Sequence, residues 1–491
     1  MVYVSTRGNA PPVAAGQAII QGLAPDGGLY VPENFPQFNR SMKEWVNLPY
    51  AELAFEILRL YLTDYSDEEL RACVEKAYAY PENFDVPAIA PLTDEVYDND
   101  LYFLELFHGR TLAFKDMALS LLPRLLTAAA KKYKTSEKTV ILTATSGDTG
   151  KAALEGFAGV DGVEIIVFFP QDGVSDVQKL QMTTQEGSNV HVVGVRGNFD
   201  DTQTGVKKIF SDRALAERVK AKGIAFSSAN SINVGRLLPQ VAYYFYAYGQ
   251  LVKNGAVSPG GGVDFTVPTG NFGNILAGYY ALRMGLPIGK LICASNQNNV
   301  LYDFIRTGVY DANRPFVSTI SPSMDILISS NLERLLYHVS NDPALIGKLM
   351  AELNAGGRYR FALPLARFQA AYATEAETRA ALKEISGKGY VVDPHTAAAY
   401  HAYRENSAGG EGAPNVIIAT ASPFKFSADV LGAISAGEAA KDGGAFAQMD
   451  ALARVSGLRI PRRLASLRGK EVRHRAVCEP REMTRAVEEL L

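Results

Sequence analysis

Lys115 is the only cation in "LAFKDMALSLL", residues 112–122, where Leu112, Phe114, Met117 and Leu119 crowd it. A lysine in such a place ordinarily lays its stem on apolar surface and keeps its ammonium in water. The alternative is an amine partly desolvated by Leu112 and Phe114. Burial disfavours the charged form, lowers the lysine pKa and frees the amine as a nucleophile toward carbonyl groups.

Three other stretches could hold anions. In "TSGDTGK", residues 145–151, small and hydroxyl residues open a helical pattern, so Ser146, Thr149 and free N–H groups could meet an anion. A plain N-cap with a tight turn fits the same residues. A Walker A loop is excluded, because Ala152 follows Lys151 and Thr145 stands where the first glycine belongs. Asp148 would repel an anion there unless a cation lay close. "GNFGN", Gly270–Asn274, is the better cradle: two glycines admit close backbone approach at a helix start. An ordinary strand-to-helix turn explains it about equally well. "FSSANSINVGRLLPQ", residues 226–240, offers Asn230, Ser231, Asn233 and Arg236 for a phosphate or carboxylate. By itself it reads as a capped turn with a surface arginine. A reactive amine and two anion cradles in one chain suit pyridoxal phosphate with an anionic substrate. His395 in "VVDPHTAAAY" reads as a turn or helix-cap residue; the histidines form no metal-binding pattern, and no metal is expected.

Placing these residues requires strands that end beside them. From about residue 100, short apolar runs recur ("TVILTAT", "EIIVFFP", "NVHVVGV", "IAFSSA", "DFTVPTG", "KLICASN", "NVIIATAS"), separated by helix-like stretches. Fully apolar strands alternating with helices imply an α/β architecture of parallel strands covered on both faces. Periodicity leaves open whether they form one sheet or two. In such sheets ligands bind beyond the carboxyl ends of the strands, where the candidate residues fall. The first hundred residues read as mainly helical, with "AELAFEILRLYL" and "DEELRACVEKAYAY" at helical spacing. The last sixty read as helical and basic, a solvated surface helix or lid.

The 491 residues allow roughly three domain-sized units. Hydrophobic residues make up 47 % and charged residues 21 %, a globular balance. A net charge of -3 gives no electrostatic ground for nucleic-acid binding. Three scattered cysteines suit a reducing compartment and neither a disulfide framework nor a zinc cluster. The first residues lack the apolar core of a secretory signal, and "VAYYFYAYGQLV" is too short to span a bilayer. The expectation is a cytoplasmic protein with no membrane partner.

In chain order, "STRG", "GLAPDGGLYVPE", "TLAFKD", "TSGDTGKAA", "NSINVGRLLPQ", "PTGNFGN", "DPHTA" and "ATASPFKF" resemble the threonine synthases over nearly the whole chain. The length and N-terminal motif look like the longer bacterial and fungal subgroup. The resemblance implies fold type II of the pyridoxal-phosphate enzymes, like the tryptophan synthase β subunit: an α/β fold with two parallel-type sheets flanked by helices. It implies a mainly helical N-terminal domain (1–98), a cofactor-binding core of two subdomains (99–430) and a C-terminal helical segment (431–491). Lys115 is then the Schiff-base lysine, and Gly270, Asn271, Phe272, Gly273 and Asn274 form the cofactor-phosphate loop. Asp148 stands where related enzymes often place an asparagine facing the phenolic oxygen, and Thr420 partners the pyridine nitrogen. Ser422 and Phe424 replace a histidine and an alanine of a common form of the last motif, a departure that touches packing beside the ring. Ser146, Thr149, Asn233 and Arg236 are the candidates for the substrate's phosphate and carboxylate. The implied reaction converts O-phospho-L-homoserine and water to L-threonine and phosphate, in a monomer or homodimer. A phospholyase yielding 2-oxobutyrate, or a serine/threonine dehydratase, would share Lys115 and the glycine loop.

Overall fold

The computed structural model describes residues 1–93, 100–135, 137–171, 174–362, 364–407, 413–435, 437 and 443–491. Two five-stranded sheets form the body, each parallel throughout. The first runs in the order Phe368–Tyr372, Ile288–Ser295, Val263–Pro268, Asn415–Ala419 and Leu101–Glu105. The second runs Ala476–Cys478, Val190–Val195, Val163–Pro170, Lys138–Ala144 and Ile224–Ser227. Every apolar run expected as a strand is one, and the choice between one sheet and two resolves as two. Central strands such as Val263–Pro268 and Asn415–Ala419 are buried at every residue, which is why apolar residues dominate them.

The N-terminal residues form a three-stranded antiparallel sheet beside helices that include Tyr50–Tyr61 and Asp67–Ala77. The domain boundary expected at 98/99 lies outside the described residues. The C-terminal segment is not purely helical. Its strand Ala476–Cys478 joins the edge of the second sheet, and "RIPRRLASLRGKEVRHR" contains only the short helix Arg462–Ala465. The aromatic run is the buried helix Val241–Lys253, and among the described residues no helix is long and apolar enough to cross a membrane.

The N-terminal motif braces the core. Arg7 makes a two-point contact with Glu333, with both N···O distances 3.0 Å, and Thr6 donates to the same carboxylate at 2.6 Å. Next in sequence, the fully buried Arg334 donates to the carbonyl oxygens of Tyr30 (3.0 Å) and Ile232 (2.6 Å) and to the side chain of Asn331. Asn331 in turn donates backbone and side-chain N–H groups to the carbonyl of Asn271, at 3.1 and 2.8 Å. A fixed set of bonds thus runs from "STRG" to the glycine loop.

The helix Asp148–Phe157 presses on the segment that carries Lys115. A methyl group on Gly156 would collide with the carbonyl oxygen of Leu119, a backbone atom that cannot swing aside. Gly156→Ala is therefore expected to cost about 1–3 kcal/mol through overpacking and to lower the calorimetric melting temperature. An unchanged melting temperature would show that the two segments separate freely.

Candidate active site

The carboxyl ends of strands from both sheets open on one cavity of about 220 Å³. Thr145 and Ser146 follow Lys138–Ala144, Ser228 follows Ile224–Ser227, Thr269 and Gly270 follow Val263–Pro268, and Thr420 follows Asn415–Ala419. All of them line it.

Lys115 enters from the wall. Its segment is tied to the end of Asn415–Ala419: Phe114 N–H donates to Thr420 O at 2.8 Å, and Ser422 N–H donates to Leu112 O at 3.1 Å. Asp116 accepts from the Thr111 N–H and hydroxyl at 2.8 and 2.7 Å, which closes the turn before the short helix Asp116–Leu119. The Lys115 side chain is almost wholly buried, with its ammonium 5.5 Å from the centre of the Phe114 ring. Its Nζ donates to Ser323 Oγ at 3.1 Å and lies 4.0 Å from Asp148 Oδ2. Burial pushes its pKa down to about 8; Asp148 opposes the fall, while Arg236 and Lys425 add to it.

Asp148 does not line the cavity. It sits behind Lys115 at the start of Asp148–Phe157, with Oδ1 2.7 Å from Lys425 Nζ and 2.9 Å from Gln178 Nε2. Burial alone would raise its pKa. The charges of Lys425 and Lys115 and the bonds from Lys425 and Gln178 outweigh it and hold Asp148 well below the usual carboxylate range. The repulsion that an aspartate would bring is thus compensated by Lys425. Gly147 precedes it at φ 129, in the region that favours glycine, and a Cβ there would strike Gln178.

The glycine loop is built for close approach. A methyl group on Gly270 would collide with Ser323 O. Phe272 turns the chain at φ 62 into the helix Gly273–Arg283, whose first N–H groups have no partner within the helix. Asn274 accepts from Tyr243 and Tyr244 hydroxyls at Oδ1, at 2.7 and 2.8 Å, and its buried Nδ2 has no protein partner. Arg236 is likewise buried, spends Nη1 on Ala229 O at 2.6 Å and leaves Nε unpaired. Buried donors without acceptors are uncommon in folded proteins and indicate a missing acceptor. Burial also lowers the Arg236 pKa to about 10, which leaves it charged at neutral pH.

Of the residues expected from sequence, Lys115, Ser146, Thr149, Arg236, Gly270–Asn274 and Thr420 line this cavity together. Asn233 does not. It caps Val234–Leu237 by accepting from Gly235 N–H, and it donates to Ile19 O and Ser228 O. Sequence reasoning missed Ser323, Gln178 and Lys425. It placed His395 in a turn or cap, and the ring does lie at the start of Pro394–Ser407; its contact with the site was not foreseen. His395 Nε2 accepts the Ser323 N–H at 3.1 Å, so the neutral ring carries its proton on Nδ1, 2.6 Å from Asp393 Oδ1. This pair fixes the turn that presents the Ser323 hydroxyl to Lys115. Only the serine-proline-serine turn chemistry of "SPSMDI" hinted at a tight loop there. Among the described residues no cluster of three or more potential metal ligands occurs.

A buried amine facing two sets of unpaired anion donors, at the strand ends of a two-sheet α/β core, defines a pyridoxal-phosphate-dependent enzyme. The family model for pyridoxal-phosphate dependent enzymes matches residues 88–421, and the model for the threonine synthase N terminus matches residues 2–78. The threonine synthase of Pseudomonas aeruginosa is 42 % identical over 436 residues, covering 87 % of this chain and 89 % of the relative. The crystal structure of pyridoxal-phosphate-bound threonine synthase from Brucella melitensis superposes with a TM-score of 0.85 at 38 % identity, covering 100 % of this chain and 98 % of that one. The yeast threonine synthase structure gives 0.86 at 32 % identity, covering 99 % and 98 %. The chain belongs to the threonine synthase family.

The depressed Lys115 pKa sets a pH response. Below about 8 the amine is protonated and inert, and above it the free amine reacts. Amine labelling of the full chain freed of cofactor, read by peptide mass spectrometry, should half-saturate near pH 8 at Lys115. Labelling of the exposed Lys348 in the same sample is the reference. Equal midpoints at the two lysines would contradict the desolvated site.

Proposed function

We propose that this chain converts O-phospho-L-homoserine and water to L-threonine and phosphate, with Lys115 as the lysine that carries the cofactor. One observation supports the reading above the rest: a buried amine shares its cavity with two separate sets of unpaired anion donors, one for the cofactor phosphate and one for an anionic substrate. When bound, pyridoxal phosphate supplies a carbonyl that condenses with amines and a ring that delocalises negative charge from the substrate Cα.

The Gly270–Asn274 loop would hold the cofactor phosphate, with the N–H groups at the start of Gly273–Arg283 and Asn274 Nδ2 as the donors. Thr420 offers a neutral hydroxyl to the ring nitrogen. Arg236, with Ser146 and Thr149, takes the substrate's anionic groups; Asn233 serves this set indirectly, by capping the turn that carries Arg236. Lys115 Nζ is the base that would accept the substrate Cα proton. Its pKa near 8 lets it accept and return a proton near neutral pH. The Ser323 hydroxyl, held by His395 and Asp393, orients that amine. Three free cysteines suit a reducing compartment such as the cytoplasm.

Purified protein with O-phospho-L-homoserine should release threonine and phosphate in equal amounts. Accumulation of 2-oxobutyrate with phosphate would identify a phospholyase instead. Lys115→Ala should keep the fold, read by circular dichroism, and lose at least about a hundredfold in turnover. Threonine formation at the wild-type rate by that variant would overturn the role of Lys115.

A further inference from the structure

Lys425 is fully buried, lies outside the cavity wall and has no part in the reaction described above. It sits in the one-turn helix Pro423–Phe426, shortly after the strand Asn415–Ala419. Its ammonium donates to Thr111 O at 2.8 Å and pairs with Asp148 Oδ1 at 2.7 Å. A lysine is almost never this buried without a partner, and a buried pair is seldom a net source of stability, because desolvation offsets the attraction. Stability is thus a weak reason for the pair, and its position suggests another. The two oxygens of Asp148 face two lysines: Oδ1 faces Lys425, and Oδ2 faces Lys115 at 4.0 Å. Without Lys425, the nearest ammonium left to this carboxylate is that of Lys115. An uncompensated carboxylate at that distance favours the ammonium form.

We propose that Lys425 is a positioning residue that takes up the charge of Asp148, so that the carboxylate does not hold the Lys115 amine in its protonated form. Lys425 acts through Asp148 without touching substrate or cofactor. The other charged or titratable groups facing Lys115 are Arg236, which disfavours its charge, and Asp116, which favours it. His395 shares the cavity and reaches Lys115 through Ser323. Arg236 and Asp116 have partners of their own in Ala229 O and Thr111, so Asp148 and Lys425 are the pair whose balance one substitution upsets. The inference rests on Lys115 being the reactive amine.

The test measures the pH midpoint for labelling Lys115 in the full chain freed of cofactor, together with melting temperature, in Lys425→Met, Asp148→Asn and the double variant. Lys425→Met should move the midpoint up by about one pH unit or more. Asp148→Asn should move it down, and the double variant should fall between the two. A purely structural Lys425 would lower the melting temperature and leave the midpoint in place, and an unchanged or lowered midpoint in folded Lys425→Met overturns the proposal. If Lys425→Met does not fold, Lys425→Gln takes its place in the measurement; a raised midpoint supports the proposal and an unchanged or lowered one overturns it. No substrate or turnover enters the measurement, so a wrong assignment of the reaction leaves its outcome unchanged.

Discussion

A lysine amine gives up its proton well below the usual lysine range only where water is kept from it and the surrounding charges balance. Lys115 meets both conditions. Leu112, Phe114 and the carboxyl ends of two sheets exclude water, while Asp148 lies behind the amine with its charge shared by Lys425. Much of the architecture follows from holding that arrangement. The Lys115 segment is bonded to Thr420 and Ser422, just past the strand Asn415–Ala419. The helix Asp148–Phe157 packs against the same segment so closely that only glycine fits at 156. The Pro322–Met324 turn closes over Gly270 and brings a hydroxyl to the amine.

The anion donors show the complementary strategy. Buried N–H groups are ordinarily satisfied within the protein. Here Asn274 Nδ2 and Arg236 Nε have no protein partner, while the side chains that carry them line the cavity and are held by other bonds, to the tyrosine hydroxyls and to Ala229. Donors fixed before a ligand arrives need little reorganisation when it binds. The N-terminal domain contributes at a distance, since Arg7 and Glu333 anchor the segment whose Asn331 supports the glycine loop.

Much of this could be read from sequence because the relevant signals are local. Strands buried on both faces appear as apolar runs, and glycine-rich turns mark where they meet helices. Shorter or less apolar strands escaped: "LYFLE" at 101–105 is brief, "FQAAY" at 368–372 is a half-buried edge strand, and Ala476–Cys478 is three residues long. Lys115 stood out because its neighbours in sequence are apolar. Lys425 did not, although its motif was in view, because its partners Asp148 and Thr111 come from distant parts of the chain. Ser323 and His395 were hidden for the same reason. Asn233 was drawn toward the substrate by its motif, whereas its amide is used by the turn that it caps and by Ile19 O. Residues that bind can be recognised by type and spacing; residues that balance charge are recognised only when the fold brings them together.

The central claim is that Lys115, among several buried lysines, is the one that carries the cofactor. Borohydride reduction of the cofactor-loaded protein fixes the cofactor to its lysine, and peptide mass spectrometry then locates it. The account predicts the added mass on the peptide containing Lys115. Its appearance on Lys151 or Lys425, the other lysines buried near the site, would contradict it.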